Sequence, residues 1–364
     1  MYNLTNEVLT FSEQYGIKPL IDAFRDYFAH YESEVRGIKG LSFETKKDLN
    51  TKEQLIHNEI EKVAKKRAGI SSNFSDAVYS THPLYRWEQF AIVNALIDAV
   101  LPSSVIRDFG QFANIRVGGF GDSFEYDLKP SDLFLTTKIG NGRKHVATQY
   151  QANGTYTLVP QARAITVGEE WYRVVSGKRS LAEYAVKVVL SLESEIAQDI
   201  YDAINDTFAT LPAAFGISGY TEATFRTAIG KLKAWNNGSA INVFGTSVAL
   251  SNILPNSDYL KQGLGGEYSS VGYIRNPFGV NVFELSPVAD KTSTSYATIT
   301  DDTRLYLIPS ANSKLVQVAM EGDTMTFSDG AGVNENLVMK DTTQKRWAVG
   351  LKTSAHYGII DTDA

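Results

Sequence analysis

Cysteine is absent from the 364 residues. That excludes a disulfide framework, a zinc ribbon, an iron–sulfur site and a cysteine nucleophile. The fold is left to packing and hydrogen bonds, which suits a reducing compartment. Histidine is scarce, with 5 residues: His30, His57, His82, His145 and His356. His57 has a carboxylate, Glu61, at metal-ligand spacing. The pair falls on a charged helix and reads as a solvated face. An excess of positive charge is also missing. The 35 basic residues are outnumbered by 41 acidic ones, for a net charge of -6, whereas a chain that grips phosphates shows the opposite balance. Long hydrophobic runs are lacking as well: Ala91 to Val100 is interrupted by Asn94 and Asp98 and is too short to span a bilayer. Met1-Tyr2-Asn3-Leu4-Thr5-Asn6-Glu7 is neither basic nor apolar, so no signal peptide is read there. What remains is ordinary globular composition, 43% hydrophobic and 21% charged, and a soluble, non-secreted chain is expected.

Catalytic constellations are missing too. Gly177-Lys178 would need a glycine at position 172 to make a phosphate loop, and Tyr172 stands there. Gly263-Leu264-Gly265-Gly266 lacks a strand-then-helix context and reads as a loop. Gly245-Thr246-Ser247-Val248-Ala249 is half a nucleophile elbow without its final glycine. The acidic pairs Glu169-Glu170 and Asp301-Asp302 fall at element boundaries, where turns and caps account for them. The expectation is therefore no catalytic residue, no cofactor-binding residue, no metal ligand, and no enzyme.

The elements that are present change in kind along the chain. Leu20, Phe24, Phe28, Tyr31 and Val35 recur with the period of one helix face. A second helix is predicted from Thr51, with Gln54 completing a capping box, to Gly69; Lys65, Lys66 and Arg67 suit its C-terminal dipole. Ile70 to His82 reads as a linker. A third helix runs from Leu84 to Val100, where Pro102 stops it. From Ile115 to Val167 strands and turns take over, with Asn141-Gly142 and Asn153-Gly154 as hairpin signals. Between those turns one face is Arg143, His145, Ala147, Gln149 and Gln151, and the other Lys144, Val146, Thr148 and Tyr150. Neither face builds a core, so the hairpin has to lean on something else, and Pro160 points to an edge or bulge.

Ser180 to Phe208 is the clearest helix. Ser180 and Glu183 form a capping box, and Leu181, Ala185, Val188, Leu192, Ile196, Ile200 and Ile204 make one apolar stripe. Helices follow over Thr221 to Trp235 and Val248 to Leu254. Strands follow at Ile241 to Phe244, Val280 to Leu285, Leu305 to Ile308 and Leu315 to Met320. A last strand alternates Trp347, Val349, Leu351, Thr353, Ala355, Tyr357 and Ile359 on one face.

This order of elements resembles the major capsid protein of tailed bacteriophages, over Ala91 to Ile360. Ile115 to Val167 is similar to that family's extended loop and Ala164-Ile165-Thr166-Val167-Gly168-Glu169-Glu170-Trp171 to its return. Ser180 to Phe208 resembles the spine helix, Asn242-Val243-Phe244-Gly245-Thr246-Ser247 and Asn276-Pro277-Phe278-Gly279-Val280 turns of the axial domain, and Lys345 to Ile360 the re-entering strand. The resemblance implies an α+β fold divided into a helical N-terminal arm (1–110), an extended β-hairpin loop (111–170), a spine helix opening a peripheral domain (171–212), an axial domain with returning peripheral strands (213–340) and a C-terminal peripheral strand (341–364). It implies a shell subunit that assembles with copies of itself into hexamers and pentamers in the bacterial host cytoplasm and resides in the virion. Portal, scaffold and decoration proteins would be its partners, packaged DNA its contents, and a membrane no part of it. The N-terminal hundred residues exceed a minimal arm, and in some relatives such a segment is a scaffold. The same fold forms encapsulin shells that store enzyme cargo, which is the alternative reading.

Some members of the family join a loop lysine to a neighbour's asparagine with a glutamate as base. Lys138 and Lys144 beside Asn141-Gly142 stand where such a lysine would sit, but no partner asparagine or glutamate matches the pattern. No covalent cross-link is expected.

Overall fold

The first helix follows from its apolar spacing. In the computed structural model α1 spans Lys18–Glu34 and buries Leu20, Phe24 and Phe28 on one face. The structure describes residues 16–69, 82–128, 133–137, 148–150, 154–170, 173, 180–254, 266, 268–285, 287–290, 293–310, 314–329, 338–351 and 355–363. The second helix, α2 (Leu49–Arg67), starts before the capping box that Thr51 and Gln54 suggest. Asp48 is its N-cap residue, and the Thr51 hydroxyl donates to the Asp48 carboxylate. A short-range pattern for a helix start was overridden by one a single turn upstream.

The third helix, α3 (Pro83–Phe109), passes through Pro102. Proline removes an i→i−4 bond and loosens the carbonyls around it. Two of these carbonyls are taken by side chains: Ser103 Oγ donates to Val100 O at 2.7 Å, and the Arg25 guanidinium reaches Ala99 O at 3.4 Å. Burial on several sides supplies the rest, because Val100, Leu101, Pro102, Ser104 and Val105 are all buried. At 27 residues α3 is long and apolar enough to cross a membrane by composition, but 67% of its most apolar stretch is buried inside the fold. Asn94 and Asp98, read as interruptions of a short run, lie within it and bond to the sheet beneath.

The long helix α4 (Leu181–Asn205) buries every residue of the predicted stripe. Ser180 Oγ accepts from Glu183 N at 3.2 Å, while the Glu183 side chain pairs with Lys187 instead of turning back. A second cap was not legible in the sequence. Leu181 N also donates toward His57 Nδ1 at 3.3 Å, while His57 Nε2 faces Glu61 at 3.5 Å. The His57–Glu61 pair is thus not a solvated face; it ties α2 to the start of α4.

The strands are β1 (Ala113–Gly118), β2 (Phe124–Leu128), β3 (Gly154–Leu158) and β4 (Gln161–Glu170) before α4. After it come β5 (Gly216–Ser218), α5 (Glu222–Trp235), β6 (Ile241–Gly245), α6 (Ser247–Ser251), β7 (Asn281–Glu284), β8 (Arg304–Pro309), β9 (Val316–Asp329), β10 (Val338–Leu351) and β11 (Gly358–Asp361). One sheet has the order β1-β9-β10-β4 and another β5-β11-β8-β6-β7, while β2 and β3 form a ribbon of their own. The predicted C-terminal strand is therefore two strands in two sheets: β10 lies between β9 and β4, and β11 pairs with β5 and β8. The predicted inner face keeps Trp347, Ala355, Tyr357 and Ile359 buried, but Ile360 on the opposite face is buried too, because β11 lies inside the second sheet with a core on both sides.

Helices α3 and α4 cover one face of the first sheet, and α1 and α2 lie on those helices. Val318, Met320 and Trp347 point into that helical core. Their neighbours Ala319 and Ala348 point the opposite way, toward the ribbon. The second sheet has a separate core built from Phe225, Leu232, Val243, Leu250 and Leu307, among others.

Candidate assembly surface

The β2–β3 ribbon leaves the sheet and carries the segment that the sequence marks as lacking a core. Its register is Phe124 with Leu158 at the root and Leu128 with Gly154 at the far end. The root does have a small core. Phe124, Tyr126 and Leu158 are buried with Ala319, and Tyr156 packs beside them. Gly350 makes this approach possible, since a Cβ there would meet the Tyr156 hydroxyl at 1.7 Å. Arg116 lies 5.1 Å over the Tyr126 ring and donates to Glu125 O at 2.6 Å. Burial pushes the Tyr126 phenol up to about 12, against the pull of Arg116. The anchor is a dry aromatic contact.

Beyond the anchor the apolar side chains face solvent. Leu133, Phe134, Leu135 and Tyr150 are 76%, 61%, 78% and 87% exposed. Gln149 clamps this part of the excursion: its Oε1 accepts from Leu135 N at 2.8 Å and its Nε2 donates to Leu135 O at 2.7 Å. Four large exposed apolar side chains around one clamp form an exposed apolar patch. The signal for it was present in the sequence as Leu133-Phe134-Leu135, a triplet that breaks strand alternation. Asn141-Gly142 and the flanking Lys138 and Lys144 lie outside the described residues, as do most of the two faces between the turns.

The ribbon's continuation, β4, is held by α4. Arg163 donates to Glu195 at 2.8 Å and to both oxygens of Asp199 at 2.9 Å, and lies 5.4 Å from the Trp347 ring. Trp347 Nε1 donates to the same Asp199 at 2.8 Å. The N-terminal helices are tied to α3 and α4 by a second ionic cluster. Arg107 forks over Glu32, and Arg36 bridges Glu32 and Glu193 at 3.0 Å each. Ser104 Oγ donates to Glu193 at 2.7 Å. Burial holds the Glu193 carboxyl above its usual range, with Arg36 and Ser104 pulling the other way.

The remaining sequence candidates have structural duties. Thr246 caps α6, its hydroxyl accepting from Ala249 N at 3.3 Å. Asp301 closes a turn through Thr303 and pairs with Arg304. Glu169 and Glu170 end β4. Gly177, Lys178 and Gly263 to Gly265 fall outside the described residues. Among the described residues, no group of three acidic or histidine side chains is placed to hold a metal.

No family model matches the chain, and no curated protein matches it. Solved structures do. A chain of the bacteriophage PhiM1 mature capsid superposes with a TM-score of 0.50 at 11% identity, over 70% of this chain and 86% of that one. The fold is that of a phage capsid subunit. The capsid of a native GTA particle matches with a TM-score of 0.49 at 10% identity, over 71% of this chain and 90% of that one. The acid-stable capsid of Helicobacter pylori bacteriophage KHP30 gives 0.47 at 13% identity, over 70% and 90%.

Proposed function

We propose that the chain is the major capsid protein of a tailed bacteriophage, a structural subunit whose copies close into the shell around a double-stranded DNA genome. The observation that carries this reading is the joint presence of the capsid-subunit fold and an anchored ribbon that holds Leu133, Phe134, Leu135 and Tyr150 out to solvent. A patch of that kind, meeting a different surface of the next copy, makes a heterologous contact, and repetition of it closes into rings or runs on as a filament. Five- and six-fold rings of one chain would close as a shell. The second sheet is then the axial portion, and the first sheet with α3 and α4 the peripheral portion. The C-terminal strands contribute to both.

On this reading the protein is not an enzyme, and its place is the virion, after assembly in the host cytoplasm. Portal, scaffold and decoration proteins are its further partners. DNA is contents, consistent with a net charge of -6. The cargo-storing shell is not favoured, since the subunit resembled comes from a phage capsid. Electron microscopy of the purified protein is the test. Closed shells with five- and six-fold vertices are expected. A monodisperse monomer under every salt and scaffold condition refutes the proposal.

A further inference from the structure

We propose that Glu321 and Arg346 form a latch across the root of the β2–β3 ribbon, one hydrogen bond short of closure, and that the ribbon rocks between an open and a closed pose as this bond breaks and forms. The two residues are cross-strand partners on β9 and β10, beside the register break. They fall on the same sheet face as Ala319 and Ala348, which the ribbon covers. Each holds one end of the ribbon. Glu321 Oε1 accepts from Gly121 N at 2.8 Å, shortly before β2 begins. Arg346 donates through a terminal nitrogen to Pro160 O at 3.0 Å, just after β3 ends. Between these two bonds Arg346 Nε lies 3.2 Å from Glu321 Oε2. That is hydrogen-bond distance, yet both atoms are buried and neither has a hydrogen-bond partner. The pair is close enough to bond and wrongly angled to do so.

A buried bond left unmade at that distance is held open by its surroundings. Turning either side chain into line would close it, but each is tied through its outer atom to a different end of the ribbon. The bond therefore forms only if the ribbon moves. The ribbon is built to allow that. It is a two-stranded sheet of its own and shares no ladder with the strands beneath it. Its side chains rest on Ala319, Ala348 and Gly350. Residues that small make a smooth bearing, with little for the ribbon to interlock against. The remaining ties are compliant. The Tyr126 hydroxyl reaches Val318 O only at 3.4 Å, and the exposed Arg116 holds Glu125 O from β1 on a long side chain. Tilting keeps most of the packing, and the buried pair gains its bond. It also changes the direction in which the ribbon carries Leu133, Phe134, Leu135 and Tyr150 into solvent. The latch belongs to one chain and does not depend on the capsid reading.

A chain without cysteine takes spin labels at chosen positions only. Labels at Thr155→Cys, exposed on β3, and Lys187→Cys, exposed on α4, report the ribbon's angle by double electron–electron resonance in the full, unassembled chain. A second pair, Thr155→Cys with Lys231→Cys on α5, registers tilts that the first misses. Two distances are expected in the otherwise unsubstituted chain. Glu321→Gln keeps an acceptor for Gly121 N but turns an amide N–H toward Arg346 Nε, so the closing bond cannot form. One of the two distances should then lose population by roughly tenfold or more, while the other stays where it was. Arg346→Met frees the exit end as well and should spread the distances. A single narrow distance in the otherwise unsubstituted chain refutes the rocking. Two distances that survive Glu321→Gln in unchanged proportion show that another contact sets the pose, and overturn the latch. These two outcomes do not involve Arg346→Met, so a folding defect in that variant leaves the test decided.

Discussion

Lys345 shows how much one side chain can hold. It is 2% exposed and sits where β9 and β10 lose register, with Gln344 opposite Met325 but Arg346 opposite Glu321. Its ammonium donates to Asp98 at 2.7 Å and to Gly322 O at 2.6 Å, while Thr324 donates to Asp98 through both its N–H and its hydroxyl. Gly322 closes the irregularity at φ 65°, where a Cβ would also strike the Phe120 ring at 2.3 Å. Removing one partner of a buried ion pair costs more than replacing both. Lys345→Ala should therefore destabilise the unassembled subunit by about 3–5 kcal/mol in urea unfolding. Lys345→Met with Asp98→Asn should lose clearly less; a double variant as unstable as the single one contradicts this account. Glu193 yields a prediction with a sign. Its pKa is raised on folding, so its contribution is fully present below the ordinary value of 4.5 and is lost as pH rises through the raised one. The stability advantage of the native chain over Glu193→Gln should shrink as pH rises from acid toward neutral, and an advantage that grows with pH would reverse the sign.

At the scale of elements, the ribbon divides into an anchor and a free part. Leu128 and Gly154 face each other at the boundary, so the intervening residues 129–153 can be replaced by a two-residue Asn-Gly turn without disturbing the register. Circular dichroism and urea unfolding of that variant should match the parent, because Phe124, Tyr126, Tyr156 and Leu158 keep their contacts. Particles should no longer form, since the exposed patch has gone. Helix α4 behaves in the opposite way. Leu192, 1% exposed in the helical core, should cost about 2–5 kcal/mol as Leu192→Ala. A loop variant that unfolds with the α4 variant would show that the two are not separable.

For the whole molecule, the shell proposed above would draw its strength from repeated non-covalent contacts. Disulfides are excluded by composition. A lysine–asparagine bond needs a desolvated lysine near neutrality, while lysines beside a loop turn are commonly solvated edge charges. Mature particles boiled in SDS should run as one band at subunit mass. A ladder of pentamer- and hexamer-sized species that survives reductant would establish the cross-link after all.

Local and periodic features of this chain were legible in its residues alone. The α4 stripe, the Ser180 cap and the period of α1 follow from side-chain spacing within a few turns. The exposed triplet Leu133-Phe134-Leu135 could have been read as an exposed apolar patch, because it breaks alternation where no core is available. Tertiary structure decided what depends on residues far apart in the chain. Pro102 does not end α3, because packing and the reach of Arg25 and Ser103 hold the helix together. One alternating C-terminal run became two strands, because alternation specifies a buried face but not the sheet that buries it. His57 became a cap for α4, from 124 residues away, because a helix N-terminus accepts any acceptor that the fold delivers. Residue pattern determines what each segment needs to bury or bond; only the assembled chain decides which distant partner meets that need.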